Sequence, residues 1–186
     1  MQIVDNKVIV IRTRRPHLIT EKINKSKVIG RLPDDLHDVA VHFGLDEVQE
    51  LAKLNIKDVP STIDRDYDWP GQFKPFTHQK QTAAFLTLRK KAFCFNEQGT
   101  GKTAAVIWAS DYLMKLGKVR RVLIICPLSI MKSAWQQDLF RFAVHRSCDI
   151  AYGKREQRKA VVNSDAEFVI INFDGLEIVK DEVANG

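Results

Sequence analysis

The run Asn96-Glu97-Gln98-Gly99-Thr100-Gly101-Lys102-Thr103 constrains this chain more than any other. Two glycines one residue apart open backbone conformations closed to other residues, so the chain can turn sharply and aim successive N–H groups at one point. An apolar run, Ala92-Phe93-Cys94-Phe95, leads in, and a helical pattern, Ala104-Ala105-Val106-Ile107-Trp108-Ala109, leads out. In the setting of strand, glycine-rich turn and helix, Gly-x-Gly-Lys-Thr reads as a phosphate-binding loop. Glu97, Gln98, Gly99, Thr100 and Gly101 would then cradle the phosphates of a nucleotide. Lys102 brings a point charge to the same oxygens, and Thr103 offers its hydroxyl to Mg²⁺. The following helix start adds its partial positive charge. Lys102 and Thr103 are therefore the candidate catalytic residues, with Thr103 the candidate Mg²⁺ ligand. The plainer alternative is an ordinary strand–turn–helix connection that contains two glycines. The full motif opens on glycine where this chain has Asn96.

At 186 residues the chain fits one domain, or one with a small appendage. A hydrophobic content of 45% is enough to build a core. The net charge of +6 favours an anionic partner such as nucleic acid, although an excess of this size also serves solubility alone. Cys94, Cys126 and Cys148 stand singly, none paired at metal-ligand spacing, as expected of free thiols in a reducing cytosol. The start shows no basic segment followed by an apolar one, and no apolar run approaches a membrane span. The expected location is cytoplasmic (the host cytoplasm for a phage-encoded protein), without a membrane partner.

Residues 1–70 read as a small α/β accessory region ending in a linker, and residues 71–186 as the main domain. Gln2-Ile3-Val4 and Lys7 to Ile11 flank Asp5-Asn6 and predict a hairpin. Residues 12–31 are polar and basic, either a phosphate-contacting stretch or a solvated connecting face. A short strand at Val39-Ala40-Val41 precedes a helix marked by Leu45, Val48, Leu51, Ala52 and Leu54. The prolines and aspartates of residues 59–71 read as a linker. Beyond it, a helix following residues 73–79 and marked by Ala83, Ala84, Leu86 and Leu88, a strand at residues 92–95 and a helix from about Gly101 to Leu116 are expected. The continuous run Val122-Leu123-Ile124-Ile125-Cys126 predicts a strand buried on both faces. A helix over residues 131–142, a short strand at 149–152, a helix over 154–162, a buried strand at 168–172 and a last helix from Gly175 complete the alternation. Such alternation implies a parallel sheet with helices on both faces and a ligand at the C-terminal ends of its strands. The glycine loop, residues 127–129 and residues 172–174 would share that edge. Ser129 with the local backbone N–H groups suits a phosphate, or simply caps a helix.

Thr77-His78-Gln79, the glycine loop, Val122 to Ile130 with Trp135 downstream, and Ile170-Ile171-Asn172-Phe173-Asp174 occur in that order. Together they resemble the first motor lobe of superfamily-two helicases, in particular the Swi/Snf-related DNA-dependent ATPases, DEAD/DEAH-box-like and of phage or bacterial type. The resemblance covers residues 73–182. It implies a RecA-like fold, here an incomplete first lobe, with ATP and Mg²⁺ as cofactors and double-stranded DNA as partner. It makes Gln79 the adenine-reading residue, consistent with a side chain that both donates and accepts, although Gln79 also suits a plain helix start. It makes Pro127, Leu128, Ser129 and Asn172 the DNA-contacting residues, and it gives Asn96 a position that the family commonly fills with an acidic or amide residue.

Hydrolysis by such a site needs an acidic residue at the end of a buried strand. The only Asp-Glu after the glycine loop is Asp181-Glu182, too close to the preceding strand for a parallel crossover of roughly a dozen residues, so a helical setting is expected for it. The chain is thus expected to be the ATP-binding front half of a DNA translocase or helicase, inactive alone and completed by a second lobe. The alternative is a non-catalytic ATP- or nucleic-acid-binding accessory module. A different class of phosphate-loop NTPase has no need of Gln79 or of residues 127–129.

Overall fold

The computed structural model describes residues 1–184. The chain forms two compact units, one of Met1–Tyr67 with Ala84–Phe93, the other of Asp68–Ala83 with Cys94–Gly186.

The first unit is built on an antiparallel sheet of order β1-β2-β4-β3. Strands β1 (Gln2–Val4) and β2 (Val8–Thr13) form the expected hairpin, turned by Asp5 and Asn6 at φ 50° and 52°. Asx residues tolerate that left-handed region because their short side chains bond locally. A four-residue helix, α1 (His17–Thr20), leads to β3 (Ser26–Arg31), which pairs with β4 (His37–His42). β3 lies within the stretch read from sequence as a connecting face. It is an edge strand whose exposed Lys27 and Arg31 disguise the apolar pair Val28-Ile29, and charge on an edge discourages pairing with other chains. Ile9 opposes Val41 and Ile11 opposes Val39, so one face of the sheet is apolar and buried. Helix α2 (Leu45–Lys53) buries Leu45, Val48 and Leu51. Residues 59–67 are more than a linker: helix α3 (Ile63–Asp66) buries Ile63 completely, Tyr67 is buried beside it, and the Ser61 and Thr87 hydroxyls bond at 2.7 Å. Each such fully buried apolar side chain is worth about 1.5–3 kcal/mol, which the prolines and aspartates around them conceal.

Helix α4 (Thr77–Thr87) starts in the second unit and ends in the first. The second unit then runs through α5 (Lys102–Lys115), β5 (Val122–Ile125), a 3₁₀ turn (Leu128–Ile130), a π-helical turn (Met131–Gln136), α6 (Gln137–Phe142), β6 (Cys148–Ala151), α7 (Arg155–Val162), β7 (Phe168–Ile171), α8 (Phe173–Ile178) and α9 (Lys180–Ala184). The sheet is parallel in the order β5-β7-β6. All four residues of β7 are buried, as befits the central strand. β5 is an edge strand with Ile125 40% exposed, which corrects the expectation of burial on both faces.

Residues 92–95 form no strand. Phe93 and Phe95 are 81% and 88% exposed, because an apolar run takes up strand geometry only where a neighbour supplies the ladder. The helix expected over residues 131–142 is α-helical only in its second half. The Ser133 hydroxyl donates back to the Ser129 carbonyl in the π-helical turn that precedes it. The last helix is two, α8 and α9, and Asp181 and Glu182 lie in α9. Helix α5 is buried nearly all round and stops at Gly117, φ 67°, where the Gly117 and Lys118 N–H groups return to the Met114 and Leu113 carbonyls. Trp108 anchors it: its indole N–H donates to the Pro70 carbonyl at 2.8 Å, and its ring meets Trp69 and Phe142 edge-on. Among the described residues no helix is long and apolar enough to cross a membrane.

Candidate functional site

The glycine loop occupies residues 96–101 and ends at the first turn of α5. Gly99 and Gly101 sit at φ 77° and 74°, the left-handed region that a side chain disfavours. Gly101 is the N-cap, and Ala105 is the first residue whose N–H returns to it, so the amides before Ala105 have no acceptor within the helix. At Gly99 a Cβ would meet nothing within 4 Å, whereas at Gly101 it would run into the Gln79 amide. Lys102 folds back over the loop and donates from Nζ to the Asn96 and Glu97 carbonyls, both at 2.7 Å. Thr100 closes the turn by donating its hydroxyl to the Glu97 carbonyl at 2.8 Å. Thr103 is half-buried in the first turn of α5, while Glu97 and Gln98 are exposed.

The start of α4 is pinned to this loop. Gln79 donates from Nε2 to the Thr100 carbonyl at 3.3 Å and accepts the Phe76 N–H on Oε1 at 2.9 Å. The His78 ring nitrogen Nε2 lies 3.0 Å from the same Thr100 carbonyl, and its ring stacks on Phe76. Asn96 donates to the Thr82 hydroxyl at 2.9 Å. The structure thus gathers Gln79, Asn96, Thr100, Gly101 and Lys102 around one turn. With two left-handed glycines, helix-start amides, a lysine ammonium and a hydroxyl, the donor set suits a nucleotide phosphate with its Mg²⁺.

Residues 127–129 and Asn172 lie at the C-terminal edge of the parallel sheet. The Cys126 N–H donates to the Ile171 carbonyl at 3.0 Å and holds the ends of β5 and β7 level. Pro127, Leu128 and Ser129 are exposed. Asn172 is buried, and its Oδ1 accepts from Arg158 at 2.8 Å. Nothing in the sequence around Arg158 marks it as internal except its place on the inner stripe of α7 with Val162.

Arg146, between α6 and β6, is likewise internal. It donates from Nε to Asp111 and from Nη1 to Glu167, each at 2.5 Å, and Asp111 also meets the His145 ring at 2.9 Å. Burial pulls the Arg146 guanidinium down, but the bonds to Asp111 and Glu167 outweigh it and leave its pKa above the ordinary value. Burial pushes the Glu167 carboxyl up, but the Ser147 N–H and Arg146 outweigh it and hold Glu167 below the ordinary range. Burial, with Asp149 adding, pushes the Cys148 thiol up to about 11. Glu182 forms an ion pair with Lys159.

Three comparisons bear on this arrangement. A search of curated proteins finds no match. Among solved structures, the Sulfolobus solfataricus SWI2/SNF2 ATPase core in complex with dsDNA superposes with a TM-score of 0.51 at 22% identity, over 58% of this chain and 23% of that one. That likeness shows the fold, the parallel sheet and helices of a motor lobe, and the chain spans less than a quarter of that structure's length. The profile of the SNF2-related domain matches residues 78–185, which takes in the glycine loop, the parallel sheet and the basic run of α7. This chain belongs to the SNF2-related domain family over residues 78–185.

Proposed function

We propose that this chain is the ATP-binding front half of an ATP-dependent DNA translocase, with residues 96–103 as the phosphate-binding loop. The observation that carries the reading is the turn itself: two left-handed glycines lead into a helix start, with Lys102 above them and Gln79 against Gly101. Lys102 would release the Asn96 and Glu97 carbonyls and place its ammonium on nucleotide phosphate oxygens. The amides that open α5 would donate to the same oxygens. Gln79 would turn its donor and acceptor to the adenine edge, and Thr103 would offer its hydroxyl to Mg²⁺. The bound Mg²⁺ would bridge phosphate oxygens and neutralise their charge.

The exposed edge formed by Pro127, Leu128 and Ser129, with Asn172 beneath it, would face duplex DNA, the partner held by the SWI2/SNF2 core that this chain resembles. Ser129 and the nearby amides would meet backbone phosphates, a contact that positions the track without reading its sequence.

Turnover needs more than this chain's own residues supply. The strands β5, β7 and β6 end on Ile125, Ile171 and Ala151, with no carboxylate among them, and Asp181 and Glu182 lie in a helix. The chain alone is therefore expected to bind Mg–ATP without hydrolysing it. DNA-stimulated ATP hydrolysis by this chain, abolished by Lys102→Ala, would refute that. Competition by GTP at equal strength would remove the adenine role of Gln79. Duplex binding without a steep salt dependence would remove the phosphate contacts. The second reading, a non-catalytic accessory module, rests on the same absence of a strand-end carboxylate. Expression of the chain joined to a separate second lobe separates the two, because only the motor reading predicts recovery of hydrolysis.

A further inference from the structure

Arg158 is a buried cation to which neither the nucleotide site nor the phosphate contacts assign a role. It is 8% exposed, and among the described residues its partners are neutral. Nε donates to the Gly153 carbonyl at 2.9 Å, and Nη1 donates to the Ala151 carbonyl at 3.0 Å and to Asn172 Oδ1 at 2.8 Å. Its guanidinium carbon lies 5.7 Å from the centre of the Tyr152 ring, within cation–π range. Three successive residues at the end of β6 and one at the end of β7 are thus organised by a single side chain.

The surroundings are shaped for it. Gly153 takes φ 92°, and Gly175 in α8 leaves the space that a Cβ would contest with Arg158 and Asn172. Burying a guanidinium among carbonyls carries a desolvation penalty that a carboxylate partner would lessen and an apolar residue would avoid. What the arrangement achieves is a fixed edge. The Asn172 oxygen is committed to Arg158, which leaves the Asn172 amide donors unspent on it. Tyr152 has its ring engaged by Arg158 while the residue remains 57% exposed.

That edge carries exposed apolar groups, with two cations at its Tyr152 end. The register sets Ala151 and Ile125 level with Ile171, so Tyr152, Asn172 and Cys126 follow in one row. Phe173 and Leu128 beside them are 62% and 53% exposed, and Lys154 and Arg155 are exposed next to Tyr152. A nucleic-acid strand offers partners to both kinds of group, anionic phosphates separated by sugars whose faces are apolar.

We propose that Tyr152 is a further DNA contact, its ring laid on a deoxyribose of duplex DNA between phosphates met by Lys154 and Arg155, and that Arg158 is the positioning residue that holds it. The proposal rests on the DNA reading above. A sugar contact carries no sequence preference and displaces no counterion, so it adds affinity without adding to the salt slope.

Fluorescence anisotropy with a labelled duplex, repeated over a salt series, tests this. Tyr152→Ala is expected to weaken binding roughly five- to tenfold at an unchanged salt slope, the size of one aromatic contact. Tyr152→Phe is expected to bind like the parent. Arg158→Lys keeps the charge and loses the planar fork, so it should match Tyr152→Ala in both affinity and slope. The double variant should bind no worse than either single one. Equal binding by Tyr152→Ala and the parent overturns the contact, and additive losses in the double variant overturn the positioning role. Should Arg158→Lys fail to fold, the exposed Tyr152 still decides the contact. A larger Tyr152→Ala effect on a single strand of the same length than on the duplex overturns the sugar assignment in favour of base stacking. If the parent fails to bind duplex at all, the DNA reading falls and this proposal with it, whereas an indifferent Tyr152→Ala sinks the proposal alone.

Discussion

Replacing Arg146 with leucine should destabilise the second unit more than any surface change. Asp111 is completely buried in α5, and Arg146 meets it through Nε while reaching Glu167 through Nη1. Removing one partner of a buried pair costs about 3–5 kcal/mol, because the remaining charge stays out of water. Two features reduce that here. The Glu167 side chain is 30% exposed and keeps its bond from the Ser147 N–H, so solvent screens much of its loss. His145 stays against Asp111 at 2.9 Å and leaves it one ring partner. The expected loss is therefore about 2–4 kcal/mol. Urea unfolding followed by tryptophan fluorescence reads the right part of the molecule, since Trp69, Trp108 and Trp135 all lie in the second unit. With a slope of about 1–2 kcal/mol per molar urea, the midpoint should fall by roughly 1–4 M. Asp111→Leu combined with Arg146→Leu should recover much of the loss, because the completely buried carboxylate is no longer left without its guanidinium. A midpoint for Arg146→Leu within a few tenths molar of the parent (about 0.3 M or less) would refute the reasoning. The acid limb offers a second check. Glu167 is held below its ordinary value of 4.5, so the folded state binds its proton less readily than the unfolded chain does. Its contribution is complete above about pH 4.5, disappears as the pH falls through the lowered folded value, and should flatten in Arg146→Leu.

Gly101→Ala should lose about 1–2 kcal/mol from its left-handed φ alone and lose nucleotide binding as well, because its Cβ would displace Gln79. Gly117→Ala, with a similar φ and open space, is the control that loses stability only, as urea midpoints and nucleotide titrations together would show. Lys102→Ala should abolish Mg–ATP binding, read by calorimetry, while the helix α5 signal in circular dichroism is retained; undiminished binding would remove Lys102 from the phosphate site. Cys148, with its thiol pushed up to about 11, should label far more slowly at pH 8 in the folded protein than in urea, and mass spectrometry of the labelled peptide would show it.

Most of the second unit was readable in sequence because its signals are local. Apolar runs at Val122 and Phe168, the helical period of residues 102–115 and the stop at Gly117 each specify an element without reference to a distant partner. What escaped reading depends on neighbours. Residues 92–95 look like a strand by composition but join no sheet among the described residues, and β5 looks interior but among the described strands has a neighbour on one side only. Ser26 to Arg31 is the reverse case, a strand concealed by edge charges. Ile63 and Tyr67 were concealed among prolines and aspartates because two apolar anchors are too few to show a period.

The amino-acid order alone determined the glycine loop, the helix that follows it and the family, since φ preferences, helix stops and motif spacing act within a few residues. Only the tertiary structure decided which of the basic residues are internal. By residue type Arg146 and Arg158 look no different from the exposed Lys154 and Arg155, and what separates them is whether acceptors inside the fold lie within reach. Those acceptors, Asp111, Glu167, the Ala151 carbonyl and Asn172, come from elements up to 35 residues away and meet the guanidinium groups only once the helices lie against the parallel sheet.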